Sequence, residues 1–133
     1  MRRIAVLAAA GLLSACQTAS GQSEQAPAPL AVPDAVDALG TEPFWAVMVD
    51  ADQIALTRPD HPPATGPNSG PTRTATFARW ETKTGQGKLK LTVTAGPCSD
   101  GMSDRTYPFS AQAVIAGRTL KGCAAEAGAR GER

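Results

Sequence analysis

Lys88-Leu89-Lys90-Leu91-Thr92-Val93-Thr94 decides the fold class. Polar and apolar residues alternate with a period of two, which puts Leu89, Leu91 and Val93 on one face of a strand. Upstream, Thr72 to Glu81 is rich in Thr and carries Phe77 and Trp80, and Thr84-Gly85-Gln86-Gly87 supplies turn residues between the two segments. Phe44 to Val49 and Gln53 to Thr57 read as a second hairpin through Asp50-Ala51-Asp52, and Phe109 to Ile115 and Arg118 to Cys123 as a third around Gly117. Pro108 has no N–H to give a ladder, so it belongs at the start or edge of its strand. About six strands with short turns predict an all-β domain, a small antiparallel barrel or sandwich. Its core draws on Phe44, Trp45, Val47, Phe77, Trp80, Leu89, Leu91, Val93, Phe109 and Ile115. Phe44 and Trp45 are adjacent and must face opposite sides, so one of them is partly exposed or covered by the preceding segment.

The strands bound a domain over residues 39–123. Before it, residues 16–38 are dominated by Ala, Pro, Ser, Gln and Gly, a composition that buries too little apolar surface to offset its ordering entropy and therefore reads as a disordered tether. A short helix over Asp34 to Leu39, led by Pro33, is the alternative there. After the domain, residues 124–133 alternate small and charged side chains and are expected to fray. Arg58 to Pro71 holds five prolines and two glycines and reads as a long irregular connection. In a domain this small a covalent staple matters, and Cys98 and Cys123 are placed to form one. A closed loop of roughly 25 residues predicts about 3 kcal/mol of stabilisation from chain entropy. A metal or redox pair is the competing use of these cysteines, but the C-x-x-C spacing is missing and the chain has a single histidine.

The first residues carry an address. Arg2 and Arg3 precede an apolar run from Ile4 to Leu13, too short to span about 30 Å of hydrocarbon, which marks residues 1–15 as a signal peptide. Leu13-Ser14-Ala15-Cys16 resembles the lipobox of bacterial lipoproteins. The resemblance implies cleavage before Cys16, acylation of its sulfur and new amino terminus, and a membrane held through that lipid. An ordinary signal peptide with Cys16 left free is the alternative. Gln17, where an aspartate resembles an inner-membrane retention signal, favours the outer membrane. The expected location is the cell envelope, lipid-anchored and facing the periplasm.

Thirteen Lys and Arg stand against twelve Asp and Glu in the full chain. Loss of Arg2 and Arg3 with the leader leaves eleven against twelve, a net charge of −1. The basic residues are scattered, with no polybasic run, and nucleic acid is not an expected partner.

Chemistry concentrates in Cys98-Ser99-Asp100-Gly101-Met102-Ser103-Asp104-Arg105, which closes on Tyr107-Pro108-Phe109. One reading is a disulfide-pinned loop whose carboxylates bind a cation or share acid–base work. The other is a turn in which Asp and Ser side chains satisfy backbone amides and Arg105 or a neighbouring basic residue neutralises a carboxylate. The second is favoured, because Asp100, Ser103 and Asp104 are too few and too irregularly spaced for a calcium loop. His61, in Asp60-His61-Pro62-Pro63, reads as a solvated side chain rather than a catalytic base. Gly85-Gln86-Gly87-Lys88 lacks the residues of a phosphate-binding loop at Thr82 and Leu89 and reads as a hairpin turn. No cofactor, metal or catalytic residue is expected.

Gly40-Thr41-Glu42-Pro43-Phe44-Trp45, the Cys98 to Asp104 run, Tyr107-Pro108-Phe109 and Gly117-Arg118-Thr119-Leu120-Lys121-Gly122-Cys123 together resemble a group of bacterial envelope proteins described only as membrane proteins or lipoproteins. The resemblance spans nearly the whole domain and implies that Glu42, Trp45, Asp100 and Asp104, with Arg105 beside them, belong to one binding surface. It carries over no activity. A second likeness, to the membrane-bound inhibitors of c-type lysozyme, rests on Ser69-Gly70, Trp80 and the glycine-containing turn before Leu89. The Tyr of that pattern is absent after Ser-Gly, and Glu81-Thr82 stands where Lys-Gly is expected. These readings lead to a noncatalytic envelope lipoprotein that binds or scaffolds an envelope protein or a small ligand. A periplasmic lysozyme inhibitor and an envelope hydrolase using Glu42, Asp100 or Asp104 are the alternatives.

Overall fold

The computed structural model describes residues 30–129. The readings of the leader, of Cys16, of the tether as far as residue 29 and of the last four residues lie outside them. Nine strands follow in order: β1 (Val36–Thr41), β2 (Phe44–Val49), β3 (Gln53–Thr57), β4 (Ala64–Pro67), β5 (Thr72–Arg73), β6 (Phe77–Thr84), β7 (Gly87–Ser99), β8 (Thr106–Ile115) and β9 (Arg118–Glu126). They form one antiparallel sheet ordered β4-β3-β2-β1-β9-β8-β7-β6-β5.

The sheet curls into a half-barrel, the all-β antiparallel architecture that the alternation in β7 predicts. Its far strands meet without laddering: Thr82 Oγ1 on β6 donates to Pro67 O on β4 at 2.8 Å. Gly66 permits that approach, since a Cβ there would lie 2.4 Å from Lys83 O.

The hairpins explain most of the sheet. β2 and β3 pair from Ala46↔Thr57 to Val49↔Ile54, and Asp50 Oδ1 accepts from the amides of Asp52 and Gln53 in the turn. Those two amide bonds, Asp52 first, hold the Asp50 carboxyl below its usual range. β8 and β9 turn through Ala116 and Gly117, both at positive φ (48° and 75°), the backbone of a tight two-residue hairpin. Pro108 sits where its missing N–H costs least, unpaired in both ladders of β8 and opposite a bulge in β7.

Four expectations are corrected. The count is nine strands rather than about six, because Thr72 to Glu81 is a hairpin of β5 and β6 and because β1 and β4 lie in segments read as tether and irregular loop. Domain structure begins ahead of residue 39: β1 starts at Val36, no helix forms over Asp34 to Leu39, and Val32 is buried. It also continues past residue 123, where β9 runs to Glu126 with Ala124 and Ala125 buried. Phe44 and Phe77 leave the core, Phe44 being 56 % exposed and Phe77 half-buried.

The remaining named apolar residues do fill the interior. Trp45, Val47, Trp80, Leu89, Leu91, Val93, Phe109 and Ile115 belong to one continuous cluster inside the curl. Each fully buried large aliphatic such as Leu91 or Ile115 contributes about 1.5–3 kcal/mol relative to exposure. Period-two burial along β8, with Tyr107, Phe109, Ala111, Ala113 and Ile115 alternately covered, shows the pleat that sorts them. A smaller apolar cluster of Tyr107, Cys123 and Ala125, packed with Leu39 and Cys98, forms around the disulfide.

Candidate functional site

The Cys98 to Arg105 segment is placed by a break in β7. Pairing with β8 runs regularly to Ala95↔Phe109 and resumes at Cys98↔Tyr107, leaving Gly96 and Pro97 as the bulge. Gly96 adopts φ 140°, which an L side chain rarely takes. The redirected strand end brings Cys98 to Cys123 on β9, and the two form a disulfide with S–S 2.00 Å and Cα–Cα 5.6 Å. Two strands that are not sheet neighbours are thereby joined.

Beyond the disulfide the chain reaches β1, where Thr41 Oγ1 donates to Asp100 O at 2.9 Å. The Asp100 side chain organises the turn. Its Oδ1 accepts from the amides of Met102 (2.9 Å) and Ser103 (2.8 Å), and its Oδ2 from Ser103 Oγ (2.8 Å) and Tyr107 Oη (3.4 Å). Gly101 turns the chain at φ 75°. The Ser103 and Met102 amides, then the Ser103 hydroxyl, pull the Asp100 carboxyl down to about 2. With its lone pairs engaged and its proton lost far below neutrality, Asp100 is a turn-forming group, ill suited to carry protons.

Of the five residues expected on one surface, two share a groove. Glu42, in the Glu42-Pro43 turn between β1 and β2 that contains a cis peptide, lines a groove of about 320 Å³ with Gly40, Thr41, Ser99, Asp100 and Lys121. Trp45 is buried and reaches this groove only at its wall, through Gly40 and Lys121. Its Nε1 donates to Lys121 O at 3.2 Å, and a Cβ on Gly40 would stand 2.0 Å from that nitrogen. Asp104 is exposed and lies outside the groove lining. Arg105 turns elsewhere: Nη2 donates to Ala129 O at 2.8 Å, and the guanidinium lies 4.6 Å over the Tyr107 ring. Arg105 therefore does not neutralise Asp100, whose charge is met by amides and hydroxyls instead.

Lys121 and Thr41 were not singled out by residue type, yet both line the groove. Their signal in the sequence was proximity to glycines: Gly40 and Gly122 let β1 and β9 approach where a Cβ at Gly122 would meet Leu39 O at 1.8 Å. His61 is exposed, with Nδ1 2.8 Å from Pro59 O. Among the described residues no group of three His, Cys, Asp or Glu side chains stands close enough to hold a metal ion. Comparison with known proteins finds no family model that matches the chain, no matching curated protein and no matching solved structure. The likenesses to envelope lipoproteins and to lysozyme inhibitors rest on the residues quoted for them.

Proposed function

We propose that this protein is a noncatalytic, lipid-anchored lipoprotein of the cell envelope, exported, acylated at Cys16, and presenting a small disulfide-stapled β domain that binds or scaffolds a partner on the periplasmic side. The observation that carries the reading is the division of the three cysteines. Cys98 and Cys123 are consumed in a disulfide, a bond suited to oxidising compartments. The third, Cys16, stands behind an apolar leader in a lipobox-like quartet. Two or three acyl chains on that residue hold a domain firmly on a bilayer.

The candidate loop supports binding over hydrolysis. A hydrolytic carboxylate pair needs one group poised to exchange a proton, whereas Asp100 is locked by four hydrogen bonds and Asp104 lies outside the groove that Glu42 lines. The loop is built to keep a shape.

Metabolic labelling with an alkyne-bearing palmitate tests the anchor. The wild-type chain is expected to take up label and to sediment with membranes, and Cys16→Ser to lose the label. A native chain found uncut, free of acyl groups and with Cys98 and Cys123 reduced in soluble extract overturns the proposal.

A further inference from the structure

A second groove lies on the outer face of β1 and β2 and past the end of β3. We infer that it binds a small monoanionic amphiphile, an apolar body bearing one carboxylate. The inference deepens the binding reading of the β domain and is independent of the anchor.

β2 presents apolar side chains on both of its faces. Trp45, Val47 and Val49 point into the core, while Phe44, Ala46 and Met48 point outward, with Phe44 and Met48 more than half exposed. The outward face of an antiparallel sheet is ordinarily polar, and apolar surface left in water marks a place where something binds. Register extends this face sideways, since Ala46 pairs with Leu39 on β1 and with Thr57 on β3. Leu39, Phe44, Ala46 and Pro59 line a groove of about 410 Å³. That size falls within the roughly 300–1,000 Å³ of small-molecule sites.

The charge of the ligand follows from Arg58, which lines the same groove. Its Nη2 donates to the neutral Gln86 Oε1 at 2.8 Å, and Gln86 is itself tied to Pro62 O. Among the described residues the ion pairs fall on Arg73, Lys88 and Lys90, so the guanidinium is oriented by an amide while its charge stays uncompensated by a carboxylate. A guanidinium has five donors in a planar fork that suits a carboxylate. The groove's two threonine hydroxyls are already spent on backbone carbonyls: Thr41 Oγ1 donates to Asp100 O and Thr57 Oγ1 to Ala46 O. Arg58 is thus the group left to fix the polar end of a ligand. Glu42, in the neighbouring groove across Thr41, disfavours a second negative charge on it.

Photolabelling of the full chain in membranes tests this, with decanoate carrying a diazirine as probe and the matching diazirine decanol as its uncharged counterpart. Cross-links are expected on residues 39–49 and 57–59 and are displaced by unlabelled decanoate. Arg58→Gln should weaken labelling by the carboxylate roughly tenfold, the worth of one charge-assisted hydrogen bond, and leave labelling by the alcohol unchanged, which also shows that the variant is folded. Phe44→Ser should weaken both. Labelling spread equally over exposed Leu30 and Met102, or carboxylate labelling indifferent to Arg58→Gln, overturns the inference. Failure here with acylation of Cys16 intact counts against the groove alone, and loss of acylation with groove labelling retained counts against the anchor alone.

Discussion

Trp45 Nε1 donates to Lys121 O across Gly40, at 3.2 Å, and the indole occupies the volume that any side chain at Gly40 would need. Pairing of β1 with β9 runs only to Leu39↔Cys123. Past that point the indole, instead of a backbone amide, satisfies the β9 carbonyl. A buried tryptophan, a glycine and a strand end thus form one unit beneath the candidate groove.

Gly40→Ala is expected to lower stability by about 2 kcal/mol, the cost of forcing a methyl into a packed core, with a change in tryptophan fluorescence as the indole moves. Gly122→Ala should cost more, since all the nearest atoms its methyl meets are backbone, Leu39 O at 1.8 Å first, whereas at Gly40 the backbone contact, Lys121 O, is at 2.6 Å and the closest atom belongs to the Trp45 side chain. Gly85→Ala, which meets open space, should stay within about 0.5 kcal/mol. Urea melts of the three variants check the order.

Replacing Cys98 and Cys123 together with alanine should destabilise the domain by about 3 kcal/mol, as expected for a closed loop of this length. The loop that follows the disulfide should loosen first, because Thr41 Oγ1 to Asp100 O is the hydrogen bond that holds it against β1. Hydrogen exchange at Met102 and Ser103, set beside the global melt, separates the two effects.

Asp100 predicts an acid sensitivity with a definite sign. Its carboxyl lies at about 2 in the folded chain against an ordinary value of 3.8, so the unfolded chain binds the proton more readily. The contribution to stability is complete above about pH 4 and disappears as pH falls toward 2. Asp100→Asn should flatten the stability profile in that window and leave the profile above pH 5 parallel to wild type. An unchanged slope below pH 4 would show that the turn does not depend on the charge.

Ala116 holds φ 48° in the β8–β9 turn, a left-handed backbone that costs an L-alanine about 1 kcal/mol. Ala116→Asn places the favoured Asn-Gly pair at that turn and should raise stability by roughly 0.5–1 kcal/mol. Thermal melting is the measurement, and a lower midpoint would contradict the turn assignment.

Where strands carried their own period or their own turn, they were legible. Gln53 to Thr57 and Phe44 to Val49 match β3 and β2 residue for residue, because Asp50 and Asp52 bracket a short turn between apolar runs. β1 was hidden by composition: Val36-Asp37-Ala38-Leu39 continues an Ala- and Pro-rich stretch, and its strand character comes from β2 and β9 on either side. β4 was hidden by Pro62 and Pro63 just ahead of it and by Pro67 at its end, the last tolerated because this strand ladders on one side only. Within the candidate site, the role of Asp100 as a turn-former was readable from local spacing. The direction of Arg105 was not, since Ala129 and Tyr107, which orient it, are brought there by β9 and β8.

From the sequence alone came the strand class, the central hairpins, the pairing of Cys98 with Cys123, and the conflict between Phe44 and Trp45. All four follow from nearest neighbours, side-chain period and cysteine count. Only the curled sheet decided that Trp45 turns inward and Phe44 outward, that Glu42 and Asp100 line a common groove while Asp104 and Arg105 leave it, and that Arg58 faces an apolar strand. Those relations join residues far apart in the chain, and they arise from strand order and register, which no local stretch of residues encodes.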